Sequence, residues 1–236
     1  MATNETREKI LDAAESLFAR QGFGATSLRT VIAEADVNLA AVHYHFGSKE
    51  ALIRAVFSRR LAPLNAERLR RLDDIENDAA GAAVSIERLL DAFIRPAVVL
   101  APGGTDEAPI LTLLFGRLHT EPGNNLPQLI YDQFDDVVTR FVEAFTRALP
   151  DLPLDELYTR FHFVIGTMAS SFADPQRLAY VSRGRVDRRD VESLITRMIT
   201  FLAAALRAPA THPHAAEATV ELSSATGNPI GAGARE

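Results

Sequence analysis

The apolar residues of this chain recur at the spacing of an α-helix in almost every segment. In residues 7–18 they are Ile10, Leu11, Ala14, Leu17 and Phe18. These residues share one helix face, because an α-helix completes a turn in about 3.6 residues. No segment alternates apolar and polar residues between turn signals over the length of a strand. The pattern therefore predicts an all-α fold.

Glycine, proline and capping residues divide the predicted helices into two groups. Gly22 follows the first helix, while Thr26 and Asn38 are expected to be the N-caps of two further short helices. Ser48 is expected to cap a longer helix that Pro63 should kink or interrupt. The other helices are predicted over residues 85–100, 108–119, 126–149, 154–172 and 187–206.

We therefore expect three parts. Residues 1–47 form a three-helix domain that contains a helix-turn-helix, residues 48–208 form a bundle of about six helices, and residues 209–236 form a disordered tail. The net charge is −6, yet residues 1–60 hold eight basic and seven acidic residues. A DNA surface needs local rather than global positive charge, so this mild asymmetry is compatible with one.

Composition excludes several classes of protein. The chain has no cysteine, which removes disulfide scaffolds, zinc ribbons and thiol catalysis. The amino terminus lacks a basic segment followed by an apolar one, and the apolar stretches are shorter than the ~20 residues that span a bilayer. These features predict a cytoplasmic protein without a membrane partner.

Residues 26–46 have the anatomy of a helix-turn-helix. Leu28, Val31, Ile32 and Ala35 can face inward on the first helix, and Asp36 occupies the turn. On the second helix, Val42 packs inward and the outward residues have little bulk; they are Asn38, Leu39, Ala41, His43 and Tyr44. Such a helix can enter a major groove about 12 Å wide.

At this point the sequence resembles the TetR family of bacterial transcription regulators. The resemblance spans residues 7–57 and is carried by residues 17–23, 26–29 and 42–52. Residues 38–49 and 55–59 further resemble a subgroup typified by PsrA, a regulator of fatty-acid metabolism genes. The family usually has glycine where this chain has Asp36, a residue that tolerates the left-handed conformation better than most.

The resemblance implies roles for individual residues. Thr26 and Tyr44 would bind phosphates, and Lys49 would supply a charge to the DNA backbone. Arg29, Asn38, Leu39 and His43 would lie against bases or sugars. The full set of expected DNA-binding residues is Thr26, Ser27, Arg29, Asn38, Leu39, Ala40, His43, Tyr44 and Lys49.

Other interpretations of the same residues are less favourable. His43 and His45 are two apart and do not share a helix face, so no metal site is predicted. Gly47, Ser48 and Lys49 are better explained by helix capping than by a phosphate loop. No cofactor motif is present, and neither a Gly-Xaa-Ser-Xaa-Gly nor a fixed Ser–His–carboxylate arrangement indicates an enzyme.

Nine of the 13 phenylalanines lie after residue 60, where a stripe at helical spacing is either core or the lining of an apolar cavity. The family resemblance favours a cavity for a small apolar effector. The expected ligand-binding residues are Phe93, Phe115, His119, Phe134, Phe141 and Phe161, with Arg95 and Arg117 as further candidates for an acidic head group. Small residues near Gly166 and Ala203 are suited to close helix contact, either within one subunit or in a homodimer.

The leading hypothesis is a homodimeric repressor of transcription that binds a near-palindromic operator in double-stranded DNA. Its effector, a fatty acid or acyl-CoA, would lower its affinity for the operator. The alternatives are a multidrug or antibiotic sensor that controls an efflux gene and an all-α module without DNA binding.

Overall fold

The computed structural model describes residues 2–99, 110, 113–115, 117, 128–173, 175–187 and 190–210. Every regular element among them is helical, which confirms the all-α prediction. None of these helices is long and apolar enough to cross a membrane. The helices are α1 (Ala2–Gln21), α2 (Leu28–Ala35), α3 (Leu39–His45), α4 (Lys49–Asp78), α5 (Ile86–Val99), α6 (Gln128–Tyr131), a 3₁₀ turn (Asp132–Phe134), α7 (Asp135–Ala148), α8 (Leu154–Ala173), α9 (Pro175–Ser182) and α10 (Val191–Arg207).

Local capping chemistry sets the ends of the short N-terminal helices. Gly22 follows α1 with a φ of 89°. Asn38 caps α3 by accepting a hydrogen bond from the N–H of Ala41 at 2.8 Å. The N-cap of α2 is Ser27, so the prediction of Thr26 as this cap is wrong. Ser27 accepts from the N–H of Thr30 at 3.1 Å.

The helix α4 continues through Pro63, so of the two predicted effects of this proline the interruption is wrong and the kink stays a prediction. Proline removes one backbone hydrogen bond and normally breaks a helix in isolation. Here Leu61 and Leu64 are buried on either side of the proline. The packing of Leu61 and Leu64 in the core stabilises the helical backbone on both sides of Pro63.

The predicted helix over residues 126–149 is interrupted by the 3₁₀ turn at Asp132–Phe134. The side-chain N–H of Asn65 donates to the carbonyl oxygen of Gln133 at 2.7 Å, which anchors the turn to α4. The helix α9 is an element that was not predicted. Most of the predicted helix over residues 108–119 and most of the tail lie outside the described residues.

Two hydrophobic cores meet along α4. The N-terminal core joins α1, α2 and α3 to the first half of α4 and extends to Leu64. The C-terminal core joins Leu72 of α4 to α5, α7, α8 and α10. The division after residue 47 stays a prediction, and the N-terminal core runs across it.

Candidate nucleic-acid interface and C-terminal core

The turn between α2 and α3 depends on a left-handed residue. Asp36 has φ 51° and ψ 52°, and its N–H donates to the carbonyl oxygen of Ile32. A left-handed residue reverses the chain direction quickly and lets α3 pack against α2. Val42 on α3 is 1% exposed, so it holds this helix down on the N-terminal core.

The opposite face of α3 is open to solvent. Asn38, Leu39, Ala40 and Tyr44 are all exposed, with Leu39 at 53% and Tyr44 at 79%. Ser27, Arg29 and His43 are exposed as well, so seven of the nine expected DNA-binding residues are open to solvent. A tyrosine this exposed leaves its phenolic hydroxyl available to a phosphate oxygen.

Thr26 is a correction to the expected set, since its residue is completely buried. Its hydroxyl donates to the carbonyl oxygen of Gly22 at 2.7 Å and so joins the end of α1 to the start of α2. A side chain in this position cannot reach a DNA phosphate. The neighbouring Ser27 is exposed and remains in the set.

His43 makes a contact that fixes its tautomer. Its Nδ1 lies 3.2 Å from the carbonyl oxygen of Gly47. A carbonyl only accepts, so Nδ1 carries the proton in this contact. In the neutral ring the remaining nitrogen, Nε2, is therefore an acceptor, which can meet a donor group on a base edge.

The cations of residues 2–60 fall into two groups, according to whether they form an ion pair with a carboxylate. Arg7, Lys9, Arg20, Arg54, Arg59 and Arg60 each form an ion pair with a carboxylate. For Arg29 and Lys49, no ion pair occurs among the described residues. These two are the cations that the sequence assigns to DNA.

Lys49 lies at the first turn of α4, where Ser48 caps the helix by accepting from the N–H of Ala51 at 3.1 Å. Hydrogen bonds from its own backbone N–H and from Ser48 hold the pKa of Glu50 below its usual range. Glu50 therefore stays ionised at neutral pH. A carboxylate in the first turn favours the helix, because it faces the positive end of the helix dipole.

A buried ionic cluster joins α1 to α4. Glu15 of α1 is 4% exposed. It accepts from Nη2 of Arg59 at 2.6 Å and from Nε of Arg60 at 2.9 Å. A second link joins Arg117 to the end of α1, where its Nη2 donates to the carbonyl oxygen of Arg20 at 2.9 Å.

The expected ligand-binding residues do not form one site. Three of them, Phe93, Phe141 and Phe161, are buried in the C-terminal core. The centroid of the Phe93 ring lies 5.2 Å from that of Phe141 and 5.1 Å from that of Phe161. Phe115 and Phe134 pack instead against the N-terminal core. His119 lies outside the described residues.

Arg95, the further candidate for an acidic head group, already has two carboxylate partners: Asp91 at 2.8 Å and Glu192 at 2.7 Å.

Within the described part of the chain, no group of three or more His, Asp or Glu side chains could hold a metal ion.

Three buried charged residues, Glu15, Arg68 and Arg160, are not among the residues predicted from the sequence. Of these, Arg68 of α4 is 2% exposed. Its Nε donates to the carbonyl oxygen of Phe93 at 2.8 Å, and its guanidinium carbon lies 4.1 Å from the centroid of the Phe93 ring. The signal is present in the sequence, because Arg68 follows Leu61 and Leu64 at the spacing of the buried face of α4 and precedes Leu72. An arginine inside an apolar stripe is a candidate functional residue.

Two family models match the chain. Residues 10–56 match the model described as bacterial regulatory proteins, tetR family. Residues 91–205 match the model described as tetracyclin repressor-like, C-terminal domain. Together they account for more than two thirds of the chain.

Curated relatives are transcriptional regulators. The nicotine-responsive transcriptional repressor HdnoR of Paenarthrobacter nicotinovorans is 27% identical over 181 residues, which are 74% of this chain and 88% of that protein. The transcriptional repressor Rv3405c of Mycobacterium tuberculosis is 38% identical over 106 residues, which are 45% of this chain and 50% of that protein.

Solved structures share the fold. The fatty acid degradation regulator FadR from Bacillus halodurans has a TM-score of 0.58 at 16% identity and covers 85% of this chain and 100% of its own. FadR from Bacillus subtilis in complex with stearoyl-CoA has a TM-score of 0.58 at 15% identity, with 84% and 98% covered. At these identities the likeness concerns the fold alone.

Proposed function

Because this chain belongs to the TetR family of bacterial transcription regulators, we propose that it is a homodimeric repressor that an apolar effector releases from its operator. The helix α3 enters the major groove of double-stranded DNA, and the C-terminal core receives the effector. Two copies of α3, related by a two-fold axis, address the two halves of a near-palindromic site.

The observation that carries the DNA-binding proposal is the pair of cations without carboxylate partners. Arg29 on α2 and Lys49 on α4 have no carboxylate partner among the described residues, while each of the other cations in residues 2–60 is paired. A guanidinium or ammonium that is already paired with a carboxylate must lose that partner before it binds a phosphate. Free cations at this surface avoid that cost.

The test is binding of the full chain to a duplex from the region upstream of its own gene, at several salt concentrations. Lys49→Ala should weaken binding to all sequences and reduce the salt slope by about 1 per chain, because one phosphate contact is lost. Asn38→Ser keeps an oxygen to cap α3 but removes the amide group, so it should change which sequences are preferred.

The matched control is Arg88→Ala, since Arg88 lies on α5, outside the helix-turn-helix, and pairs with Asp78 at 2.9 Å. This variant should leave affinity and salt slope unchanged. An unchanged salt slope for Lys49→Ala would show that its assignment to a phosphate is wrong. Failure of the wild-type chain to bind any upstream duplex would refute the proposed function.

Release of DNA requires the effector to alter the placement of α3, and α4 connects the two parts. This one helix contributes to both cores, the Glu15 cluster fixes it to α1, and Arg117 adds a link to Arg20. An effector that prefers a different packing around α4 would change the separation of the two α3 helices. Coupling of about 1–3 kcal/mol lowers DNA affinity about 5- to 150-fold.

A fatty acid or its acyl-CoA thioester is the proposed effector, supported by the cluster of phenylalanine rings in the C-terminal core and by the resemblance of residues 38–49 and 55–59 to the PsrA subgroup. The test titrates both compounds, at several chain lengths, into the complex with DNA. Release by neither would remove the effector proposal and leave DNA binding standing.

The homodimer is proposed to form through α8 and α10. Tyr158 and Phe163 of α8 are 51% and 61% exposed, and Phe201 of α10 is 65% exposed. Exposed aromatic side chains on adjacent helices are typical of an interface between subunits. Phe163→Glu should give a monomer by light scattering, whereas Tyr131→Glu on α6 should remain a dimer; a dimeric Phe163→Glu would contradict this interface.

A further inference from the structure

A buried positive charge in the C-terminal core has no negative partner among the described residues. Arg68 is 2% exposed, and it takes part in no ion pair within that part of the chain. Burial lowers the pKa of Arg68 to about 9, so the guanidinium still carries its charge at neutral pH. Buried charges in proteins are normally paired or bound to a ligand.

Only one of the hydrogen bonds that Arg68 donates is short and made to an oxygen atom; the others are long or made to sulfur. A guanidinium has five N–H groups. Nε donates to the carbonyl oxygen of Phe93 at 2.8 Å, but Nη1 reaches Oδ1 of Asn65 only at 3.4 Å. Nη2 has the sulfur of Met168 at 3.8 Å as its acceptor. Thioether sulfur is a weak acceptor, so this end of the guanidinium lacks a good partner.

A second unsatisfied donor lies on the neighbouring 3₁₀ turn. The side-chain Nε2 of Gln133 is buried and has no hydrogen-bond partner among the described residues. The same residue is tied to Arg68 through Asn65, which donates to the Gln133 carbonyl and lies against the guanidinium. Nη2 of Arg68 and Nε2 of Gln133 are thus two buried donors without oxygen acceptors, on residues that both contact Asn65.

The surroundings of the guanidinium are aromatic. It lies over the ring of Phe93, which in turn contacts Phe141 and Phe161. Met168, the remaining neighbour, is a flexible side chain that can shift to admit another group. The local chemistry is thus a cation at the edge of an apolar cluster.

We propose that Arg68 binds the carboxylate of an amphipathic effector whose apolar part packs against the Phe93 cluster. The carboxylate replaces the sulfur of Met168 as the acceptor for Nη2. This deepens the effector part of the proposed function and rests on it. A free monocarboxylate is the class of ligand that fits, because the thioester group of an acyl-CoA is neutral where the carboxylate would be charged, and an organic cation is repelled by the arginine.

Arg160 gives the contrast within the same core. It is also buried, at 8% exposed, but it pairs with Glu156 at 2.9 Å. Its Nη atoms also donate to carbonyl oxygens at the end of α10, among them Leu206 at 2.9 Å and Pro209 at 2.8 Å. Arg160 thus has a carboxylate partner in the fold, whereas Arg68 has none among the described residues.

The test uses the full chain without DNA, so that it does not depend on operator binding. Calorimetry and thermal denaturation compare dodecanoate with dodecanol, lauroyl-CoA and dodecylamine. Dodecanoate should bind about 30-fold or more tightly than dodecanol, because only the acid compensates the buried charge. Arg68→Met should abolish this preference, and Arg68→Lys should retain part of it.

Ligand-free stability separates binding from a structural role. Replacement of an unpaired buried charge by an apolar side chain of similar size is neutral or stabilising, so Arg68→Met should melt no lower than the wild type. Arg160→Met should melt lower. Arg71→Met, one turn from Arg68 on the partly exposed face of α4, should leave both melting and dodecanoate binding unchanged.

Equal affinity for dodecanoate and dodecanol, no binding of dodecanoate, or unchanged dodecanoate binding by Arg68→Met would each overturn the proposal. Unfolding of Arg68→Met would also count against it, since it would show that the fold depends on this arginine. Binding of dodecanoate through Arg68 without release of DNA would leave the site intact and refute the regulatory mechanism instead.

Discussion

Glu15→Gln tests how firmly the DNA-binding helices are fixed to α4. In the folded protein the Glu15 carboxylate receives hydrogen bonds from both Arg59 and Arg60. Glutamine keeps the size of the side chain but removes its charge. Breaking one partner of a buried ion pair costs about 3–5 kcal/mol. Arg59 keeps its bond to Asp12 at 2.7 Å and both arginines are partly exposed, so we expect about 2 kcal/mol of destabilisation at pH 7.

The effect should depend on pH in a defined direction. Burial by itself would raise the pKa of Glu15, but hydrogen bonds from Arg60 and Arg59 outweigh burial and hold that pKa below its usual value. The stabilisation is complete above the unfolded pKa and is lost as the pH falls through the folded pKa. Below that value the wild type also carries a neutral side chain, and its difference from Glu15→Gln should disappear.

Urea unfolding at pH 7, 5 and 3 measures these free energies, provided that the slope with urea is the same for both proteins. Glu34→Gln is the control, because Glu34 is half exposed and lies 3.5 Å from Arg20. Its cost should stay below about 0.5 kcal/mol. A loss of that small size for Glu15→Gln at pH 7, or a loss that is the same at pH 7 and pH 3, would refute the reasoning.

Two other substitutions test the turn and the C-terminal core by the same unfolding measurement. Asp36→Gly should stabilise the protein by about 0.5–1 kcal/mol, because relief of a left-handed residue exceeds the added entropy of the unfolded chain; a loss of stability would contradict this account. Phe141→Ala should destabilise it by about 3–5 kcal/mol, since Phe141 is fully buried against Phe93. Tyr131→Ala, which changes a half-exposed ring, should have a far smaller effect, and equal losses would show that the packing is misassigned.

The parts of the fold that the sequence predicts depend on residues close together in the chain. The caps at Asn38 and Ser48 are confirmed, because each bonds to an N–H three residues later. The predicted cap at Thr26 is wrong because of a contact with Gly22, a residue that precedes the capping position. Thr26 and Ser27 both carry a suitable hydroxyl, and only the approach of the Gly22 carbonyl turns Thr26 inward.

The exposed face of α3 was predictable for a similar reason, since helical spacing alone separates Val42 from Leu39 and Tyr44. The position of the expected ligand-binding residues in the fold was not predictable in this way. Phenylalanines at helical spacing have the same signature in either core, and only the folded chain assigns Phe115 and Phe134 to one and Phe93 to the other.

The order of the amino acids alone therefore determined the helical class, the helix-turn-helix over α2 and α3, and the resemblance to one family of regulators. These features arise from hydrogen bonds and side-chain spacing within about one helical turn. Tertiary structure alone decided the break in the helix before α7, the sharing of α4 between two cores and the isolation of the Arg68 charge. Each depends on groups distant in the chain, such as Asn65 and Gln133, whose contacts only folding creates.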